Sequence, residues 1–278
     1  MLSMLKLLGT TLLLSSALCA NIPDKKVEEF LEDSFSNNPN IVSLEVQIIE
    51  RTPLKDLKGW DALIVSIDAM LKAKPKNREV KQRMVWFTNG TVITKDLTNL
   101  HTGENLADTV SPSFTDEYYK KENLIYGNAD AKHKVAIFSD PLCPYCRTFV
   151  PKAINEMRKS PEKFAIYYYH FPLARLHPAA VELSQAAVAA ELNGEKDIVL
   201  KLYEVEVKGR EKDVDKILKA FNDKLGTKIT AKDLKSKKVQ EHTQSDLDIA
   251  RALMVGGTPT MFFDGKLDKS KKKYTKVK

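Results

Sequence analysis

Cys143-Pro144-Tyr145-Cys146 stands between two segments of different character. Before it, Lys134–Ser139 is a short apolar run with β character, and after it an amphipathic stretch continues to about Lys159 at helical spacing. A thiol pair at a strand-to-helix junction constrains the fold strongly. The first thiol there faces the unpaired N–H groups and the positive end of the helix dipole, which favours thiolate. Only the thiolate attacks a disulfide. Cys143 is therefore the expected exposed nucleophile, and Cys146, one turn into the helix, is the expected shielded thiol that resolves a mixed disulfide. Pro144 removes a donor that has no partner at a helix start.

The chain has 278 residues and three cysteines. Lys6, the apolar Leu7–Leu14 and the small Ser15-Ser16-Ala17 have the three parts of a secretory signal, with cleavage expected after Ala20. The alternatives are an N-terminal membrane anchor, for which the apolar run is short, and a lipoprotein signal ending at Cys19, where Leu18 stands in place of a small residue. Removing residues 1–20 takes Cys19 away and leaves Cys143 and Cys146. One close pair in an exported chain is not a disulfide framework. Two other readings stay open, half of a zinc site and an inert bridge. Zinc needs further ligands, and His101, His133, His170, His177 and His242 show no ligand spacing.

Charge excludes another class. The formal net charge is +7, yet Lys6 and the lysine-rich Lys266–Lys278 account for all of it. The basic balance belongs to a solvated tail, with no interleaved aromatics, so no nucleic-acid partner is expected.

Residues 21–110 read as a leading helix over Asp24–Phe35, with Asp24 as N-cap and Val27, Phe30 and Leu31 on one side, followed by a small antiparallel sheet. Its strands are Ile41–Glu50, Ala62–Leu71, Met84–Thr88 and Thr91–Lys95, the last two flanking the hairpin dipeptide Asn89-Gly90. Residues 111–129 read as a polar, helical linker. From residue 130 to 278 the order changes to strand, helix, strand (Phe164–Phe171), a block of helices, and strand (Thr260–Phe263). The block covers Pro178–Asn193, Asp197–Val207, Asp213–Leu225 and Ala231–Leu253. This is an α/β domain with a helical insertion behind an α+β domain.

Two prolines join the thiols. Pro151 lies inside the helix that follows Cys146, and Gly256-Gly257-Thr258-Pro259 precedes the last strand, which makes Thr258–Pro259 a candidate cis peptide. With these the chain resembles the thioredoxin superfamily, and within it the periplasmic disulfide isomerases DsbC and especially DsbG. The segment Phe138-Ser139-Asp140-Pro141-Leu142-Cys143-Pro144-Tyr145-Cys146-Arg147 is similar to their active site, Thr258-Pro259 to their Thr–cis-Pro pair, and Gly103-Glu104-Asn105-Leu106 with the preceding hairpin to the DsbG dimerisation domain.

That resemblance implies a thioredoxin-like catalytic domain, a cystatin-like dimerisation domain at residues 21–110, and a V-shaped homodimer in the periplasm. It implies catalysis by Cys143 and Cys146, with Pro144, Tyr145, Thr258 and Pro259 tuning the pair, no metal, and no cofactor beyond the Cys143–Cys146 disulfide. Partners would be unfolded or misoxidised exported proteins and a DsbD-like or DsbB-like membrane redox partner. Phe171-Pro172-Leu173 with His177-Pro178 is more like DsbA-type oxidases, whereas Ile137, where thioredoxin and DsbA carry a buried acid, agrees with DsbC and DsbG. Isomerase, dithiol oxidase and holdase chaperone are the three functions to separate. His177 is expected to cap or pack rather than to act.

Overall fold

The computed structural model describes residues 22–55 and 57–277. The signal-like residues 1–20 lie outside them. The chain divides into two compact units between Ala107 and Asp108.

The first unit is built from α1 (Asp24–Ser36), β1 (Ile41–Pro53), β2 (Asp61–Leu71), β3 (Arg78–Thr88) and β4 (Ile93–Thr94), in sheet order β1-β2-β3-β4 with every pairing antiparallel. Val27 and Leu31, one turn apart on α1, are buried with Val46, Leu63 and Val65 of the sheet. Phe30 departs from the expected face and is 54% exposed. Asp24 is the first helical residue rather than the cap, which is Pro23, so the acid meets the helix dipole without closing the helix start. The Asn89-Gly90 loop is longer than a two-residue turn, since Thr88 pairs with Ile93. Asn89 Oδ1 accepts from the Thr91 and Val92 amides, so the Asn side chain itself closes the loop.

In the second unit a five-stranded sheet has the order β5-β7-β6-β8-β9: β5 (Leu124–Tyr126), β6 (His133–Ser139), β7 (Phe164–His170), β8 (Thr260–Phe263) and β9 (Lys266–Leu267). Only β6 and β7 run parallel, and α2 (Pro144–Met157) is the crossover between them. Every residue of β7 is buried, because helices cover both faces of the sheet and leave no solvent-facing side to alternate with. On one face Ile137, Ile166, Tyr168 and Met261 pack with Cys146, Val150, Ile154 and Met157 of α2.

Between β7 and β8 stand α3 (Ala179–Leu192), α4 (Ile198–Leu202), α5 (Val214–Leu225), α6 (Ala231–Leu234) and α7 (Lys237–Ala252). The buried alanines of α3 pack with Leu202, Ile217, Phe221 and Val239 in one cluster. The expected helix over Ala231–Leu253 is broken at Lys235-Ser236. Thr230 and Asp233 form a reciprocal cap on α6, and Ser236 starts α7. The expected helix over Asp197–Val207 keeps only the five residues of α4.

Residues 111–129 are not a helical linker. They form 3-10 turns at Asp116–Tyr118 and Lys121–Asn123 and then edge strand β5. Phe114, 3% exposed, lies among Tyr118, Tyr119, Phe138, Tyr169 and Phe262, with ring centroids 4.5–6.3 Å away. Burying such a ring stabilises by about 1.5–3 kcal/mol, which outweighs the helical tendency of the charged stretch around it. The lysine-rich end is not a solvated tail throughout either. Asp268 is buried and accepts from Ser270 Oγ and the Lys273 amide, and Tyr274 enters the α2-facing core.

Candidate active site

The site starts where β6 ends. Asp140, fully buried, turns the chain toward α2 by accepting at Oδ1 from the amides of Leu142 (2.7 Å) and Cys143 (3.1 Å). This Asx-type turn makes Cys143 the N-cap of α2 with Pro144 as its first helical residue. Asp140 Oδ2 accepts from the Leu173 amide at 2.7 Å and stands 3.0 Å from His177 Nδ1. The carboxylate ties the active-site turn to the segment entering the helical block.

Cys143 is the N-cap of α2, with Pro144 as the first helical residue. Its Sγ is 3.8 Å from the carbonyl oxygen of Thr258, and the Thr258–Pro259 peptide is cis. The expectation of an exposed nucleophile needs correction, since Cys143 is only 6% exposed. The Thr258 loop lies against it, and the exposed residues beside it are Pro144 and Tyr145, the latter 78% exposed.

Cys146 is fully buried on the inner face of α2. Burial pushes its thiol up to about 11, against which the hydroxyls of Ser139 and Thr258 and the backbone at Asp140 favour the thiolate. The two thiols of one motif are therefore chemically unequal. Thr258 Oγ1 is buried with no nitrogen or oxygen partner and stands beside the Cys146 sulfur.

The structure thus brings Cys143, Pro144, Tyr145, Cys146, Thr258 and Pro259 to one site. Sequence reasoning missed the support beneath them: Asp140 as the turn-forming acid, His177 as its partner, and a buried hydroxyl group of Ser139, Tyr168 and Tyr203. An Asp three residues before a helix-capping Cys was the available signal for the first. Nothing in the local sequence marks Tyr168 or Tyr203, which arrive from β7 and the end of α4. The remaining histidines lie elsewhere; His133 pairs with Asp264 and His242 stands near Asp246. Among the described residues no group of three or more His, Cys, Asp or Glu is placed to hold a metal ion.

A family described as Thioredoxin matches residues 120–278. The chain belongs to the thioredoxin family. The match takes in Cys143 and Cys146, the Thr258–Pro259 loop and the whole helical block, and this thioredoxin-family chain is a thiol–disulfide oxidoreductase in type. Two curated relatives, each named "Probable disulfide bond formation protein D", come from Bacillus cereus and Bacillus anthracis; each is 28% identical over 153 residues, which is 51% of this chain and 69% of the relative. Among solved structures, BdbD from Bacillus subtilis in its oxidised form is 19% identical with a TM-score of 0.45, covering 60% of this chain and 92% of that one. Proteus mirabilis ScsC in a transitional conformation is 23% identical with a TM-score of 0.44, covering 54% and 67%.

Proposed function

We propose that this chain exchanges and isomerises disulfides in exported proteins, in the manner of DsbC and DsbG. The observation that carries the reading is the inequality of the two thiols, with Cys143 capping a helix beside the Thr258 carbonyl and Cys146 sealed behind it. Cys143 thiolate attacks a substrate disulfide and forms a mixed disulfide, releasing one substrate thiolate. In isomerisation that thiolate attacks another disulfide of the same substrate, the thiolate so freed attacks the substrate sulfur of the mixed disulfide, and Cys143 leaves as thiolate again. If the adduct stalls, Cys146 attacks the Cys143 sulfur, closes the Cys143–Cys146 disulfide and frees the substrate thiol. The pair carries both electrons, so no further cofactor takes part. The Thr258–Pro259 loop offers backbone for pairing with an extended substrate segment.

The unit ending at Ala107 holds no cysteine outside residues 1–21, and we assign it to dimerisation. Among the described residues the long strand β1 has one strand neighbour, β2, and β4 covers β3 only at Phe87 and Thr88. The Val46 and Ile48 amides on the outer edge of β1 already donate to Glu32 and Glu28 of α1, so the edge that a second copy would pair with is that of β3 away from β4. The signal-like N-terminus supports export to the periplasm, and among the described residues no helix is long and apolar enough to cross a membrane. A DsbD-like partner would keep the pair reduced.

The second reading is a dithiol oxidase served by a DsbB-like partner, and the name of the Bacillus relatives favours it. Refolding of scrambled ribonuclease compared with oxidation of reduced ribonuclease separates the two. The proposed function predicts that the purified chain restores activity to the scrambled substrate, and that Cys143→Ser does not. Efficient oxidation of the reduced substrate with no effect on the scrambled one would establish the oxidase.

A further inference from the structure

Resolution of a mixed disulfide needs Cys146 as thiolate, yet its sulfur is fully buried. The groups that face it are few: Cys143, the hydroxyls of Ser139 and Thr258, the Asp140 backbone, and the phenols of Tyr168 and Tyr203. None is a free acid or base. Ile137, also fully buried, places an aliphatic side chain on the strand that leads to the site. Both oxygens of the Asp140 carboxylate are taken by the Leu142, Cys143 and Leu173 amides and by His177.

Three hydroxyls fill the gap. Tyr203 donates to Ser139 Oγ at 2.6 Å, and the Tyr168 and Tyr203 hydroxyls are 2.8 Å apart. A phenol has one proton. Since Tyr203 gives its proton to Ser139, Tyr168 donates to Tyr203, and Ser139 keeps its own proton and is one of the hydroxyls that favour the Cys146 thiolate. The donors run from Tyr168 to Tyr203 to Ser139, the hydroxyl that favours the Cys146 thiolate. Such a row polarises each member in the same sense, an effect that is strongest away from water. All three side chains are buried, and burial raises both phenols, so they stay protonated and remain donors.

We propose that Tyr168 and Tyr203 polarise Ser139 as the hydrogen-bond donor to the Cys146 thiolate and thereby set the rate at which Cys146 resolves a mixed disulfide. This rests on the exchange chemistry proposed above and names the groups that serve its second step. In that step the Cys146 sulfur bonds to the Cys143 sulfur, the bond from Cys143 to the substrate sulfur breaks, and the electron pair leaves with the substrate thiolate. The proton lost by Cys146 is balanced by the one the freed thiolate takes up, so no outside oxidant is consumed. Ser139 is the hydroxyl of the three that favours the Cys146 thiolate, whereas Tyr203 and Tyr168 are positioning residues that act through it.

Single-turnover reaction of the reduced full chain with glutathione disulfide, quenched with acid and followed by mass spectrometry, separates formation of the Cys143 adduct from its resolution. Tyr203→Phe and Ser139→Ala are expected to leave formation unchanged and to slow resolution roughly threefold, the effect of a rise of about one pKa unit in the attacking thiol once its greater intrinsic nucleophilicity is counted. The pH profile of resolution should move upward in both variants, with Tyr168→Phe intermediate. Resolution at the wild-type rate and pH profile in Tyr203→Phe and Ser139→Ala would overturn the relay. Equal slowing of both steps would also overturn it, because loosened packing acts on both. A wild-type chain that forms no Cys143 adduct would instead overturn the exchange reading on which the relay rests.

Discussion

His177 Nδ1 stands 3.0 Å from Asp140 Oδ2, and Asp140 is a fully buried acid whose other oxygen holds the amide of the nucleophile, Cys143. The pair links the residue that enters the helical block to the turn that aims Cys143. Asp140→Ala leaves the Leu142 and Leu173 amides unpaired and the Cys143 amide with only the residue-140 carbonyl at 3.2 Å, and losses of this kind cost about 1–3 kcal/mol per group before relaxation. We expect a total loss of roughly 3 kcal/mol in urea unfolding together with slower attack by Cys143. Asp140→Asn, which keeps one acceptor oxygen, should lose less. An unchanged urea midpoint in Asp140→Ala would show that the turn does not depend on this carboxylate.

His170 supplies a pH prediction. It is buried at the end of β7, with Asp246 accepting from its amide and His242 nearby. Burial, with the neighbouring His242, lowers its side chain to about 3. The unfolded chain binds a proton there below about pH 6.5 while the folded chain does not, so this contribution to stability is full above pH 6.5 and is lost as pH falls toward 3. At pH 5 the loss is about 2 kcal/mol. Burial of Asp246 raises its carboxyl and gives the opposite slope, so the comparison is between the wild type and His170→Gln. The difference between their unfolding free energies should shift by about 2 kcal/mol in favour of the variant from pH 7 to pH 5. Parallel pH profiles would contradict the assignment.

Much of the catalytic unit could be read along the chain because its signals are local. A strand, a capping cysteine, an apolar helical face and a Thr-Pro before the last strand each occupy a few consecutive residues. What could not be read depends on contacts between distant segments. Phe114 lies in a stretch whose charge suggests a solvated connector, and only its ring neighbours from β6, β7 and β8 show it to be core. Likewise Tyr168 looks like one more apolar strand residue until Tyr203 arrives from α4. His177 was read as a capping or packing residue from its place before an Ala-rich helix; its partner, Asp140, lies 37 residues earlier.

Gly127 follows β5 with φ of +81°, and a Cβ there would run into the backbone carbonyl of Phe164 in β7. A backbone obstacle cannot rotate away. Gly127→Ala therefore combines a disfavoured φ with a forced separation of β5 from β7, at a cost of about 2 kcal/mol or more. Thermal unfolding is the check, with a midpoint several degrees below wild type expected. A wild-type midpoint would mean that the edge strand contributes little to stability.

The division of labour between Cys143 and Cys146 is the central claim, and a covalent trap tests it most directly. The full chain carrying Cys146→Ser is incubated in reduced form with scrambled ribonuclease, then alkylated and mapped by mass spectrometry. The prediction is a disulfide-linked adduct at Cys143 that accumulates because its resolving thiol is gone, and no adduct in the Cys143→Ser chain. Adducts through Cys146 in the Cys143→Ser chain at a comparable yield would contradict the account.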